Sequence, residues 1–170
     1  MIVKLIKPQQ NNQYDITNAC AEFSWSGSAS EAARSFEFAY LNAPCDDTMK
    51  LPAVETGDFV SLTDERVGEV FYGQIFGIER SSQIGTITFS AMDMMKNLLE
   101  STDQKKFKNT TAEAIAAEVC ADAQIPVRYL YPTGINIKSM LCDEMSLYDI
   151  IMAAYTKAHK ISGDKYFAMI

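Results

Sequence analysis

The feature that most constrains the fold is a succession of short β-type runs between residues 1 and 91. Each run is rich in β-branched and aromatic residues, and clusters of Gly, Pro, Asn, Asp and Ser separate one run from the next. In the clearest run, Phe36, Phe38 and Tyr40 share one face of a half-buried strand. The predicted strands are Ile2–Ile6, Cys20–Ser26, Ser35–Leu41, Phe59–Thr63, Glu69–Arg80 and Gly85–Ala91. This spacing predicts a small antiparallel β-barrel or sandwich.

Two glycines interrupt the longest of these predicted strands. Gly73 and Gly77 lie among β-branched and aromatic residues, and an isolated glycine inside a strand marks a bend or a bulge. Sheets use such irregularities to curl, so the two glycines favour the barrel over a flat sheet.

The hydrophobic period changes after residue 91. Met92, Met95, Leu98 and Leu99 follow helical spacing, and a polar segment comes next. We interpret the polar segment as a linker, because domain boundaries fall in exposed polar stretches. The predicted division is an N-terminal barrel domain at 1–100, a linker at 101–108 and a helical domain at 109–170.

Two capped helices are predicted within the second domain. Thr110 and Glu113 have the spacing of a capping box, in which the threonine hydroxyl accepts from a backbone N–H and the glutamate reaches back. Ser146 and Asp149 repeat this spacing, and Gly163 ends the second helix. A strand at 135–141 falls between the helices. The predicted fold class is α+β, a small antiparallel barrel followed by a two-helix α/β segment.

The last residues have the pattern of a strand that has just begun. The segment Lys165–Ile170 alternates, and the sequence stops on the apolar Ile170. Because chain termini usually lie in solvent, we expect a fragment of a longer protein whose second domain is truncated.

Composition excludes several classes of protein. The net charge is −7, from 15 basic and 22 acidic residues, and seven acids against two bases lie between Asn42 and Glu69. Nucleic-acid binding needs the opposite sign. No apolar run approaches the ~20 residues of a membrane span, and the N-terminus lacks a secretory signal, so we expect folding in the cytoplasm. The four cysteines are scattered and are expected to be reduced.

No residue pattern indicates catalysis. The single histidine, His159, has neither an orienting carboxylate nor a nucleophile in a local motif, and we interpret it as a solvated residue near a helix C-terminus. Acidic pairs such as Asp46 and Asp47 fall in predicted loops, and no phosphate loop, dinucleotide fingerprint or nucleophile elbow is present. We therefore expect a protein without enzymatic activity, metal or cofactor.

Trp25 is the single tryptophan of the chain. It alternates with Ser24 and Ser26, as an inward residue of a strand does, so we interpret it as packing in the core or in a subunit interface rather than as an exposed recognition aromatic.

Several fragments of the sequence occur in a characteristic order. They are Phe23-x-Trp25-Ser26-Gly27, Ala33-Arg34-x-Phe36-Glu37-Phe38, Gly57-Asp58-Phe59-Val60-x-Leu62, Val70-Phe71-Tyr72-Gly73-x-Ile75, Asp93-Met94-Met95-Lys96-Asn97, Phe107-Lys108-Asn109-Thr110-Thr111-Ala112-Glu113-x-Ile115, Ser146-Leu147-Tyr148-Asp149-Ile150-Ile151 and Lys165-Tyr166. In this order they resemble the XkdQ/YqbQ-type phage tail proteins over nearly the whole chain. The structural family-motif residues are Trp25, Gly27, Phe36, Phe38, Gly57, Asp58, Phe71, Gly73, Thr110, Leu147 and Tyr148.

The resemblance extends to the late control D family, the baseplate hubs of contractile tails. It implies a ring of three subunits, each with two barrels and a helical domain inserted between them, which joins the tail tube to the central spike and lines the channel. It also implies further partners, the tape-measure and baseplate-wedge proteins, with DNA only in transit and no membrane. Assembly in the bacterial cytoplasm and a final place in the tail baseplate follow. The second barrel that the resemblance implies is not part of this sequence, so the ring of three subunits is expected for the full-length protein.

Two further interpretations accompany the resemblance. The acidic stretch from Asn42 to Glu69 is expected to line part of the channel, where like charge would keep passing DNA from binding. A flavin-binding split barrel and a LysM-like cell-wall-binding module remain as alternative functions, because small barrels host flavin and the pattern from Phe107 to Ile115 is similar to LysM repeats.

Overall fold

The computed structural model describes residues 1–27, 33–42, 48, 50–80 and 85–166. The chain divides into two compact units, Met1–Met94 and Met95–Ile170. Each unit has a sheet of its own, with seven described strands in the first unit and two in the second.

The first unit is an antiparallel sheet. Its strands are β1 (Ile2–Lys7), β2 (Asn12–Asp15), β3 (Cys20–Ser26), β4 (Ser35–Leu41), β5 (Phe59–Asp64), β6 (Gly68–Arg80) and β7 (Thr86–Asp93), with a 3-10 turn at Thr17–Ala19 before β3. They are hydrogen-bonded in the order β2-β1-β5-β6-β7-β4-β3. The six predicted strands are confirmed, with ends that differ by two residues at most. The short polar strand β2 was not predicted, because its Asn and Gln residues lack a β-type pattern.

The sheet curls into a half-barrel and remains open. Within the described residues, β2 and β3 are its two edges and do not pair with each other. The antiparallel architecture is thus as predicted, whereas closure of the barrel is not observed. Closure would need the first and last strands to pair along their length. Here β2 has four residues and β3 has seven, so the two edges are poorly matched.

A bulge in β6 keeps apolar residues on the core face. Ile75 lies opposite Ala91, and Gly77 lies opposite Ser90, so Phe76 is an extra residue on β6. After the bulge, Ile78 stands opposite the buried Phe89. The bulge predicted near Gly77 is confirmed, and such an irregularity increases the local twist that curls a sheet.

The second unit combines a two-stranded antiparallel sheet with helices. Its elements are α1 (Met95–Glu100), β8 (Thr102–Thr111), α2 (Ala112–Asp122), β9 (Asn136–Ser146) and α3 (Leu147–Ser162). Strands β8 and β9 pair along their length, and α2 and α3 contact each other and the strands. The core is formed by one apolar side of each element. Its buried members include Phe107, Ile115, Val119, Ile137, Met140, Ile150 and Ala154.

The segment predicted as a linker, 101–108, is a strand instead. It forms most of β8, in which Phe107 is buried and Lys105 points towards acidic residues of α2. Strand formation follows from this one-sided packing against α2 and from pairing with β9. The polar composition hid this strand, because its polar side chains either lie on the solvent side or, like Asp103 and Lys105, are neutralised by neighbours.

The sequence predicts the N-terminal cap of α3 correctly and misplaces that of α2 by one residue. Helix α3 begins as predicted, since the Ser146 hydroxyl accepts from the backbone N–H of Asp149 at 3.0 Å and contacts its carboxylate at 2.7 Å. Helix α2 begins one residue later than predicted. Its cap is Thr111, whose hydroxyl accepts from the backbone N–H of Ala114 at 3.4 Å, while Thr110 remains in β8.

Glu113 does not reach back to the start of α2. Its carboxylate instead accepts from the backbone N–H of Thr133 at 3.1 Å, from the Thr133 hydroxyl at 2.7 Å and from the backbone N–H of Gly134 at 3.2 Å. Burial raises the pKa of Glu113, but these hydrogen bonds outweigh it and lower the pKa to about 2. The carboxylate therefore anchors the turn before β9 to helix α2.

Replacing Glu113 with glutamine should lower the free energy of unfolding at neutral pH by about 1–2 kcal/mol, because a neutral amide accepts these hydrogen bonds more weakly. A carboxylate with a lowered pKa stabilises the fold above its ordinary pKa of 4.5, and this stabilisation disappears as the pH falls towards about 2. The difference between the two proteins should therefore shrink in acid. Urea unfolding at several pH values measures it, and a difference that grows in acid would contradict the assignment.

Candidate functional site

Strand β3 forms an apolar edge of the half-barrel. It pairs with β4 on one side, and no strand among the described residues pairs with its other side. Phe23 and Trp25 lie opposite Phe38 and Phe36, so both side chains are on the core face of the sheet. They are nevertheless 36% and 45% exposed. An unpaired strand with exposed apolar side chains is a site for pairing with another chain.

Behind this edge lies a continuous layer of aromatic rings. The ring of Phe36 stands 5.5 Å from that of Phe38 and 5.4 Å from that of Phe71, and the Phe38 ring stands 5.4 Å from that of Phe89. Phe23 extends the layer to the edge, with its ring 6.0 Å from that of Phe36. Each offset or tilted ring pair stabilises the fold by about 0.5–1.5 kcal/mol beyond the free energy gained by burying the side chains. The aromatic layer therefore fixes the position of β3.

Gly73 allows two strands to approach each other behind the aromatic layer. A Cβ atom at this position would collide with the backbone carbonyl of Met92 and would stand 2.6 Å from Cζ of Phe71. Only glycine fits between the β7 backbone and the Phe71 ring without a shift of either.

A buried carboxylate holds the start of β4. Asp93 is buried at the end of β7, and its Oδ2 accepts from the backbone N–H of Arg34 at 2.9 Å. In return, the backbone N–H of Asp93 donates to the Arg34 carbonyl at 3.1 Å. A Cβ atom on Gly27 would stand 2.8 Å from Cγ of Arg34. Arg34 thus lies between the end of β3 and the end of β7, and the two strand ends are held together.

Asp58 organises the opposite part of the sheet. Its carboxylate pairs with Nζ of the buried Lys7 at 3.2 Å and accepts from the backbone N–H of Glu55 at 3.0 Å. Burial lowers the pKa of Lys7, but its hydrogen bonds to Asp58 and Glu55 outweigh that effect, so the pKa is raised. Gly57, with φ at +98°, makes the turn that brings Asp58 to this position. The contacts join the end of β1 to the start of β5.

The family-motif residues do not form a single site. Trp25, Phe36, Phe38, Phe71 and Gly73 build the edge of β3 and its support. Thr110, Leu147 and Tyr148 belong to the second unit, where Thr110 pairs with Ile137 and Leu147 is buried at the start of α3. The sequence-based choice of residues missed the Asp93–Arg34 contact and Lys7. The sequence signals for Phe23 were its alternation with Trp25 and its place in the first motif fragment.

The sequence predicts that Trp25 packs either in the core of this chain or in a subunit interface, and the structure tests the first of these two placements. Trp25 is too exposed to be a core residue of this chain, so an interface is the part of that prediction that remains. Its place on the core face of an edge strand fits an interface.

Other features of the described residues carry no defined chemistry. Nδ1 of His159 lies 2.7 Å from the Asp164 carbonyl oxygen, a contact typical of a helix end. Within the described ranges, no three His, Cys, Asp or Glu side chains are grouped as metal ligands. None of the helices in this part of the chain is long and apolar enough to cross a membrane. Of the acidic pairs considered as acid and base, Asp46 and Asp47 lie outside the described residues.

The chain thus consists of a half-barrel with the unpaired edge strand β3, followed by a βαβα unit. Residues 23–170 match the model of the YqbQ-like family, and the chain belongs to that family. It is 33% identical over 137 residues to phage-like element PBSX protein XkdQ of Bacillus subtilis strain 168, covering 80% of this chain and 41% of that protein. It is 34% identical over 115 residues to the uncharacterized protein YqbQ of the same strain, covering 67% and 34%. The chain spans less than half the length of these curated relatives.

Two solved structures share the fold. The 43 kDa tail protein of prophage MuSo2 from Shewanella oneidensis superposes with a TM-score of 0.68 at 15% identity, covering 93% of this chain and 50% of that protein. A tail protein from Neisseria meningitidis MC58 superposes with a TM-score of 0.60 at 12% identity, covering 91% and 44%. At these identities the likeness shows the fold alone.

Replacing Gly73 with alanine should lower the free energy of unfolding by about 3 kcal/mol, because the added methyl group meets backbone rather than a flexible side chain. Gly77→Ala is the matched control on the same strand. Its Cβ would stand 3.3 Å from Cβ of Ser90, so it should cost less than about 1 kcal/mol. Urea unfolding followed by circular dichroism measures both, and equal losses would contradict the special role of Gly73.

Proposed function

We propose that this chain is part of a structural subunit of a contractile phage tail or phage-tail-like particle, and that the subunit is the baseplate hub that joins the tail tube to the central spike. The observation that carries the proposal is the unpaired edge β3 with its exposed Phe23 and Trp25, which suits a subunit that completes its sheet in an assembly. The work of such a subunit is mechanical. We therefore propose no catalytic activity and no cofactor.

The named relatives support a role in a phage tail. XkdQ is named as a protein of the phage-like element PBSX, and the two structures with this fold are titled as tail proteins, one of them from a prophage. The chain covers half or less of each of these proteins. The hub role accordingly belongs to the whole subunit, of which the half-barrel and the βαβα unit are one part.

In the proposed hub, three subunits form a ring. The edge β3 of one half-barrel pairs with a strand of its neighbour, and Phe23 and Trp25 become covered by that neighbour. The ring contacts the tail tube on one side and the spike on the other, with tape-measure and baseplate-wedge proteins as further neighbours. We propose that assembly takes place in the bacterial cytoplasm and that the final place is the tail baseplate.

The distribution of charge supports a passage for DNA through the ring. The first unit has six basic and 13 acidic residues, and the second has nine of each, so the whole net charge of −7 belongs to the half-barrel. We propose that acidic residues between Asn42 and Glu69 face the channel and repel DNA in transit. Residues 43–47 and 49 of this stretch lie outside the described residues.

The location of the subunit in particles tests the hub role. An epitope tag on the full-length protein, detected with gold-labelled antibody in electron micrographs of purified tails, should mark one end of each tail, at the junction of the tube and the baseplate. Label along the whole tube, at the opposite end or on no particle would exclude a hub.

The role of the edge is tested by Trp25→Ser in the full-length subunit. Because Trp25 is half exposed, the change should lower the stability of the isolated subunit by only about 1 kcal/mol. Ring formation, measured by light scattering, should be lost, because the interface loses its central aromatic residue. Val67→Ser is the control, since Val67 is 79% exposed and lies on the β5–β6 turn away from β3. Rings that form normally with Trp25→Ser would contradict the proposed interface.

A further inference from the structure

The two-stranded sheet of β8 and β9 has one face covered by helices and one exposed face. Lys105 and Phe107 point towards α2, where Lys105 pairs with Glu118 and Asp122. Because side chains alternate along a strand, Lys106 and Lys108 point the opposite way. Leu141 lies opposite Lys106 on β9 and is 67% exposed.

Two lysines lie together on this exposed face, next to Leu141. Lys106 and Lys108 alternate with the packed Phe107, and both are exposed. In the described part of the chain, neither of the two is in an ion pair. We name this surface, formed by Lys106, Lys108 and Leu141, the lysine face. On the same strand as Leu141, Asp143 accepts from the Gln104 amide at 2.6 Å.

The half-barrel has a complementary surface on the side away from its core. Glu22, Glu37 and Glu79 lie there in two adjacent rows across β3, β4, β7 and β6. The rows are Glu22–Ala39–Thr88–Glu79 and Ser24–Glu37–Ser90–Gly77, read from the pairing of the strands. The two rows contain no basic residue, and their other members are small. We name this surface the acidic face.

The three glutamates of the acidic face are available for a partner. All three are exposed, and none has an ion-pair partner among the residues that the structure describes. The small Ser, Thr, Ala and Gly side chains around them leave a low surface against which a two-stranded sheet can lie.

We infer that the lysine face of one copy of this chain docks on the acidic face of a second copy. The two unpaired lysines then meet unpaired glutamates, and Leu141 packs against the small side chains between them. The contact joins different surfaces of the two copies, so it is a head-to-tail contact. It is a separate surface from the β3 edge and does not depend on the hub role.

A protein partner fits the lysine face better than a nucleic acid does. The face has no arginine and no aromatic side chain for stacking on bases, and its centre is the apolar Leu141. The excess of acidic residues on the rest of the chain also opposes binding of a polyanion. The same acidic residues offer negative charge with which the lysines of a second copy can pair.

Charge reversal on the 170-residue chain tests the contact. Self-association, measured by sedimentation velocity, should weaken at least about tenfold between about 0.05 M and about 0.5 M NaCl, because exposed ion pairs are screened by salt. The double variants Lys106→Glu/Lys108→Glu and Glu37→Lys/Glu79→Lys should each remain monomeric at low salt. An equimolar mixture of the two should associate again, because the second variant keeps the lysine face and the first keeps the acidic face. Both variants keep a net negative charge, so the mixture gains nothing from overall attraction.

The control is Lys160→Glu/Lys165→Glu, which changes the net charge equally at exposed positions outside the lysine face and should associate like the unmodified chain. The inference is overturned if the unmodified chain stays monomeric at low salt, if the mixture of variants does not associate, or if the control loses association as well. Binding of duplex DNA at about 0.15 M salt that Lys106→Glu/Lys108→Glu abolishes would reassign the face to nucleic acid. None of these results bears on where the subunit lies in a tail.

Discussion

The packing of aromatic rings along the core face is the interaction on which the half-barrel depends. Phe36, Phe38 and Phe89 form a layer across β4 and β7, and Gly73 lets β6 and β7 approach closely behind it. The layer continues to the edge strand, where Phe23 and Trp25 lack a cover. The core of this unit is therefore extended to the sheet edge and is incomplete there, which is the physical basis for the interface that we propose at β3.

Strands could be predicted from the sequence where apolar and polar residues alternate along the strand itself. The bounds of β3 and β4 follow from apolar and polar residues that succeed each other along the chain. The same reasoning failed for β8, because Lys105 lies on the packed side and is neutralised by Asp122 on another element. It also placed the cap of α2 at Thr110 instead of Thr111, since either hydroxyl fits the pattern and the side-chain partner of Glu113 is at Thr133.

The candidate interface could not be located from the sequence, because strand order is a long-range property. Alternation placed Trp25 on the core face, but its exposure depends on β3 being an edge, which only the pairing of all seven strands establishes. The contact between Arg34 and Asp93 joins residues 59 positions apart. The ordered motif fragments nevertheless led to the family, although their residues divide between two units and serve packing, turns and strand contacts.

Hydrogen–deuterium exchange of the β3 backbone tests the central claim most directly. If β3 is an edge that pairs in the assembly, amides of residues 20–26 that face away from β4 should exchange rapidly in the isolated protein and should be strongly protected in purified tail particles. Peptides from β5, which is paired on both sides, should be protected in both samples. Equal exchange of β3 in the isolated protein and in the particles would contradict an interface at this edge.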